Sequence, residues 1–327
     1  MLKKAYIVVY QEDPYNTMYD VLFGDLIGKE NVYFLKEKKF PQKGFYRYLP
    51  SRKLKRASFG LSNRLYLSYY NLPRKIHELQ RDYDHISVLM FNASLNQTGY
   101  PIELFDLLKQ HASFNLIYLD VHDHDWVCKH ANYLLENKAF DKVFSVDPRD
   151  AEQYGLVLCN TPYSRVVLTE STETDTQLYF CGAEARRMTY LHPIWEEARK
   201  RGVHIEYDLK SSDRFKALFE KDPNVRFIDH LPYSEVLCRT LQSSCILDIT
   251  QKNQTALTIR PYEAVVYNRK LLTNNRSILN FKYFDSRFMQ FFHEVEDIDW
   301  DWLCEKTIVD YGYKGDFSPL KLLEQLE

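Results

Sequence analysis

Residues Cys245 to Asn275 read CILDITQKNQTALTIRPYEAVVYNRKLLTNN, and the fold is decided here. Cys245-Ile246-Leu247-Asp248-Ile249 is a short apolar run with β-branched residues, and Lys270-Leu271-Leu272-Thr273 is another; both have the length and composition of buried strands. Between them Leu257, Ile259, Tyr262, Ala264, Val265 and Val266 predict a turn and helix, entered through Thr255 and Thr258 and closed by Tyr267-Asn268-Arg269. A strand, helix, strand unit binds ligands outside the carboxyl ends of its strands, where the free N–H groups of the helix N-terminus favour an anion. That edge carries Asp248, Gln251, Thr255, Thr258, Arg260 and Glu263.

These residues resemble a known family. A strand, a polar loop with Gln and Thr, and then Leu-Thr-x-Arg-x-x-Glu-Ala is similar to the donor half of bacterial two-Rossmann (GT-B) glycosyltransferases of capsule and lipopolysaccharide synthesis. The matching positions are Asp248, Gln254, Thr255, Leu257, Thr258, Arg260, Glu263 and Ala264. The resemblance implies two Rossmann-like α/β domains facing a cleft, a nucleotide-sugar donor in the second, and Glu263 accepting hydrogen bonds from the donor ribose. It also implies a terminal helix that crosses back to the first domain. Two features depart from the pattern. The second Glu of many retaining members, eight residues earlier, is Thr255 here, which favours inversion, and with ten Gly in the chain no glycine-rich phosphate loop stands out.

The rest of the chain fits this frame. Its 327 residues, 45% hydrophobic, suffice for two globular domains. Apolar runs at Tyr6–Tyr10, Asn31–Leu35, Ile86–Phe91, Leu116–Leu119 and Lys142–Val146 alternate with helical patterns and predict a first parallel-sheet domain over 1–170. The polar stretch from Asn160 to Asp175 predicts the linker. A donor domain is expected over 171–310 and the crossing helix over 311–327. It opens with a strand at Gln177–Cys181, a turn through Gly182 and Arg186, and a helix from Thr189 to Arg201. Strands at Val203–Tyr207 and Val225–Ile228 and a helix at Pro232–Ser243 follow.

Six scattered Cys without a C-x-x-C pair read as reduced core thiols and a cytosolic setting. The apolar run after Met1-Leu2-Lys3-Lys4 is too short for a signal or a membrane span. Charge is uneven: Lys36 to Lys75 carries +11, and the remainder -13. This basic segment, with Arg52, Lys53, Lys55 and Arg56 at its centre and Phe45, Tyr46 and Tyr48 among its aromatics, suits an anionic membrane surface and thus a lipid-linked acceptor. A solvated face competes with that reading, and nucleic acid is the least favoured of the three.

Sugar transfer without a metal needs cations and helix N-termini against the leaving diphosphate. Arg186 and Arg260 are the cationic candidates, with the hydroxyls of Thr255 and Thr258, Gln254, Asn274 and the backbone at Gly182 as further donor contacts. Either Thr is equally a helix cap, and Asn274 equally a turn residue. On the acceptor side the DVHDHD cluster, Asp120 to Asp125, follows a strand. Asp120 and then His122 are the favoured bases, and Asp13 after the first strand is the alternative. The cluster reads as well as a solvated loop, and less well as a metal site, since no recognised ligand spacing accompanies it. Neither a metal nor a cofactor is expected, the nucleotide-sugar being a substrate. The sequence thus points to a glycosyltransferase acting on a lipid-linked or oligosaccharide acceptor. Alternatives are a non-catalytic protein that binds membrane or nucleic acid, and a nucleotide-sugar epimerase of the same architecture.

Overall fold

A computed structural model describes residues 2–11, 22–37, 67–119, 125–167, 175–183, 187–210, 213–219, 221–229, 231–250 and 255–326. The chain divides into two compact units. The first comprises Met1–Pro14, Leu26–Asn160 and Leu320–Glu327, the second Tyr15–Asp25 and Thr161–Pro319.

The first unit holds strands β1 (Lys4–Gln11), β2 (Val32–Glu37), β3 (His85–Phe91), β4 (Ser113–Tyr118), β5 (Lys142–Ser145) and β6 (Val157–Leu158). They form one sheet in the order β2-β1-β3-β4-β5-β6, with every pairing parallel. Helices α1 (Leu72–Leu79), α2 (Asn92–Thr98), α3 (Ile102–Leu108), α4 (Asp125–Glu136) and α5 (Pro148–Tyr154) connect them. A parallel sheet covered on both faces needs nearly continuous apolar strands, and β3 is buried from Ile86 to Phe91. Local chemistry sets helix ends: Asp147 caps α5 by accepting from the N–H groups of Arg149 and Asp150, Pro148 opens it, and Gly155 at φ 63° closes it.

The second unit holds β7 (Leu178–Ala183), β8 (Ile205–Lys210), β9 (Val225–Ile228), β10 (Cys245–Asp248), β11 (Lys270–Thr273) and β12 (Met289–Phe291). Its order, β12-β11-β10-β7-β8-β9, is again all parallel and is the doubly wound Rossmann arrangement. Its helices are α6 (Met188–Arg201), α7 (Tyr233–Gln242), α8 (Ile259–Tyr267) and α9 (Trp300–Cys304). Met188, Leu191, Ile194, Trp195 and Ala198 make the buried stripe of α6, which ends at Gly202. That stripe packs on Leu178, Phe180, Tyr207 and Leu247, one face of the sheet. On the other face Asp208, fully buried, accepts from Tyr179 Oη at 2.7 Å, Arg226 Nε at 2.7 Å and Arg239 Nη1 at 2.7 Å. Lys270 is also buried, and its ammonium donates to the carbonyls of Trp302 and Glu305, both at 2.6 Å. Helix α10 (Pro319–Gln325) follows, and from Leu320 the chain belongs to the first unit, where Lys142 Nζ donates to Gln325 O at 2.8 Å.

The structure adds to the sequence reading in four places. Helix α2 and the short edge strands β6 and β12 were not anticipated, and Gly182 and Ala183, expected in a turn, extend β7 because they pair with Leu209 and Lys210 of β8.

Candidate functional site at the strand switch point

The pairing of β7 with β10 is confined to Leu178↔Cys245 and Tyr179↔Ile246. Beyond these residues β7 follows β8 as far as Ala183, and β10 follows β11 as far as Asp248. The two central strands therefore part at their carboxyl ends, and the crevice between them is where open α/β sheets bind ligands.

Arg187, the residue before α6, spans this crevice. Its Nη1 donates to Ala183 O at 2.8 Å, at the end of β7, and its Nε donates to Ile249 O at 2.5 Å, just beyond β10. Arg260 lies in the first turn of α8, beside the same strands: its Nη1 donates to Glu263 Oε2 at 2.5 Å and its Nη2 to Cys181 O at 3.3 Å. Two guanidiniums thus flank one strand edge. Burial lowers the pKa of Arg187, and the neighbouring Arg260 lowers it further, against the pull of Asp248. For Arg260 burial acts in the same direction, but Glu263 outweighs it and holds the pKa above the ordinary value.

The acids are inside. Six consecutive residues of α8, Pro261 to Val266, are buried, so the helix has no solvent face in which an acid at 263 might sit. Glu263 is 0% exposed, and its second oxygen, Oε1, accepts from the hydroxyl of Tyr233 at the start of α7. Tyr233 in turn meets Tyr163 Oη at 3.3 Å. Asp248, 3% exposed, accepts from Thr258 Oγ1 and Thr273 Oγ1, both at 2.9 Å. Burial raises its pKa, while these hydroxyls, Arg260 and Arg187 pull it down. Thr258 also caps α8, its oxygen accepting from Arg260 N at 3.1 Å.

Of the residues anticipated for donor binding, the structure brings Asp248, Thr258, Arg260 and Glu263 into one bonded cluster. Asn274 lies next to it, its Oδ1 accepting from Thr250 N at 2.8 Å and Thr250 Oγ1 at 3.1 Å. Thr255 is exposed. Gly182 lies on β7, where an added Cβ would come within 3.2 Å of Phe180 Cζ. Arg186 and Gln254 lie outside the described residues, as do Asp120, His122 and Asp13 and the basic residues Arg52, Lys53, Lys55 and Arg56. Two residues escaped the sequence reading. Arg187 is the immediate neighbour of the arginine chosen there, and its place at a helix start was the available signal. Tyr233 carries no signal at all, because it meets Glu263 across 30 residues of chain.

Among the described residues no cluster of three or more His, Cys, Asp or Glu side chains has the arrangement of a metal site, and no helix is long and apolar enough to cross a membrane.

The fold is the two-Rossmann (GT-B) fold. No protein family and no curated protein matches the chain in sequence. Among solved structures, the chain is similar to an alpha-glucosyltransferase in complex with UDP-glucose and DNA containing an abasic site, at 13% identity and TM-score 0.58 over 99% of each chain. It is similar to a UDP-N-acetylglucosamine 2-epimerase, at 11% identity and TM-score 0.51 over 100% of this chain and 96% of the other. The MnaA protein of S. aureus in its structure with UDP shares 11% identity and a TM-score of 0.50, over 100% of this chain and 98% of the other.

Proposed function

We propose that the protein is a metal-independent glycosyltransferase that moves a sugar from a nucleotide-sugar donor to a bacterial surface-polysaccharide acceptor of the capsule or lipopolysaccharide type. The observation that carries the reading is the pair of guanidiniums, Arg187 and Arg260, at the parted ends of β7 and β10 beside the N-terminus of α8. A diphosphate at this edge meets two planar donors and a helix dipole, the combination that stabilises a leaving group carrying developing negative charge.

In the reaction an acceptor hydroxyl attacks the anomeric carbon, the bond from that carbon to the diphosphate oxygen breaks, and the hydroxyl proton passes to a base. Asp120, His122 or Asp13 of the first unit serves as that base, and a single displacement inverts the anomeric centre. Arg187 and Arg260 take up the charge on the departing diphosphate. Arg52, Lys53, Lys55 and Arg56 give the enzyme a basic face toward an anionic membrane that carries a lipid-linked acceptor.

The likeness to a UDP-N-acetylglucosamine 2-epimerase along the whole chain favours a second reading, in which the donor sugar is itself the substrate. Calorimetry with UDP, GDP, CDP, dTDP and ADP, followed by incubation of the matching radiolabelled nucleotide-sugar with and without a polyprenyl-linked saccharide, tests both. Nucleotide binding with acceptor-dependent release of the diphosphate supports transfer. Conversion of the sugar without acceptor supports epimerisation, and binding of none of the five nucleotides overturns both.

A further inference from the structure

Glu263 is the residue whose surroundings agree least with a simple donor contact. Its carboxylate is fully buried, Arg260 holds Oε2, and the phenol of Tyr233 holds Oε1. A carboxylate gains the hydrogen bonds of a sugar diol only if the diol reaches its oxygens, and here an internal hydroxyl already occupies one of them. Of the two partners, Arg260 is the more firmly held. It is tied to α8 through its own helix and to β7 through Cys181 O, and moving it would strand a buried charge. Tyr233 is the first residue of α7, directly after Pro232, and besides Glu263 it has the hydroxyl of Tyr163 at 3.3 Å as a second partner. Its hydroxyl can therefore leave Glu263 without becoming unsatisfied.

We propose that Tyr233 is a specificity-determining residue for the nucleoside: its hydroxyl stands in the position of a ribose hydroxyl on Glu263 Oε1, and the nucleotide binds by exchanging one for the other. This inference rests on the donor-site reading above and extends it. The exchange makes the site selective, because a nucleotide lacking the relevant hydroxyl gains nothing from Glu263 and leaves Tyr233 in place. Burial and the adjacent Glu263 both raise the pKa of Tyr233, so it stays protonated and remains a donor over the physiological range. Exchange of one neutral hydroxyl for another keeps the number of hydrogen bonds to the carboxylate constant, so selectivity comes at the expense of affinity.

The test uses the full chain. Calorimetric titrations with UDP, 2′-deoxy-UDP and 3′-deoxy-UDP are run on the wild type and on Tyr233→Phe, with circular dichroism confirming that the variant folds. With its competitor removed, Tyr233→Phe is expected to bind UDP about tenfold more tightly, and the gain is expected to vanish for the deoxynucleotide that lacks the exchanging hydroxyl. A merely structural role for Tyr233 gives weaker or unchanged UDP binding, and that result overturns the proposal, as does an equal gain for all three nucleotides. In parallel, 3-fluorotyrosine is placed at position 233 of the otherwise native chain, which keeps the phenol and avoids dependence on the folding of the Phe variant. Its fluorine resonance is expected to move at UDP saturation and to stay in place with 2′,3′-dideoxy-UDP; an unmoved resonance with bound UDP overturns the exchange. Wild type that binds UDP without these signatures refutes the exchange alone. Failure of wild type to bind UDP overturns the exchange too, and if the other four nucleotides also fail, the donor-site reading falls with it.

Discussion

Replacing Arg187 by Met separates the structural and the functional weight of the crevice. In the native chain this guanidinium joins two strands that no longer pair with each other, through bonds of 2.8 Å to Ala183 O and 2.5 Å to Ile249 O. Hydrogen bonds to charged groups contribute about 1.5–3 kcal/mol each, and both carbonyls lose their partner in the variant. Met keeps the apolar stem and removes the cost of a half-buried charge, so the expected net loss is about 3 kcal/mol. Three of the four Trp, at 195, 300 and 302, belong to the second unit, so urea unfolding followed by tryptophan fluorescence reads mainly that unit. Affinity for whichever of the five nucleotides the wild type binds is expected to fall by about thirtyfold, the equivalent of one charge-assisted bond. Arg187→Lys retains a cation but loses the fork that bonds two groups at once, and is expected to lie between wild type and Met in nucleotide affinity. An Arg187→Met protein that unfolds at the wild-type urea concentration refutes the bridging argument. One that binds that nucleotide as wild type does refutes the phosphate assignment.

Three further outcomes are expected. Glu263→Gln takes the counter-charge from Arg260, whose side chain is only 13% exposed, and should cost about 3 kcal/mol in urea denaturation; a loss below about 1 kcal/mol would show that the ion pair is immaterial. Asp248 has its pKa raised chiefly by burial. The folded state therefore binds this proton more tightly than the unfolded chain, and the stability it confers is complete below the unfolded carboxylate pKa and lost as pH rises through the folded one. Asp248→Asn should abolish that decline in a series of denaturation curves from acid toward neutral pH, and an unchanged slope would exclude Asp248 as its source. Asp208→Ala takes the shared acceptor from Tyr179, Arg226 and Arg239 and should lower stability by about 3–5 kcal/mol, while Arg226→Ala, which leaves Arg239 on Asp208, should cost clearly less.

How much of this was legible depends on whether the determinant was local. β10, α8 and β11 came out of the sequence because apolar runs, a capping Thr258 and the turn at Asn268 all lie within 31 residues. Gly155 and Gly202, which close α5 and α6, are local stop signals of the same kind: each adopts positive φ, which disfavours residues with a Cβ. Two- and three-residue edge strands such as β6 and β12 are too short to show a period. In α2, NASLNQT offers no apolar stripe, and its Asn92 is instead fixed by tertiary bonds to Cys128 Sγ and Leu119 N. The site divides likewise. Arg260 and Glu263 share a helix and were readable as a pair; Arg187 and Tyr233 join them only after β7, α7 and α8 have packed, and no local pattern announces that meeting.

The division of the chain has a consequence for its biosynthesis. The first unit is interrupted after Asn160 and resumes only at Leu320, so a ribosome must add roughly 160 residues before that unit can be completed. At the usual pace of synthesis the wait is about 8–30 s, long compared with the folding of a small domain. Throughout it, the sites for Leu322, Leu323 and Leu326, all buried in the finished protein, have no occupant. The first unit thus starts before the second and closes only once α10 has been made, so its completion rests on a segment that lies about 160 residues further along the chain.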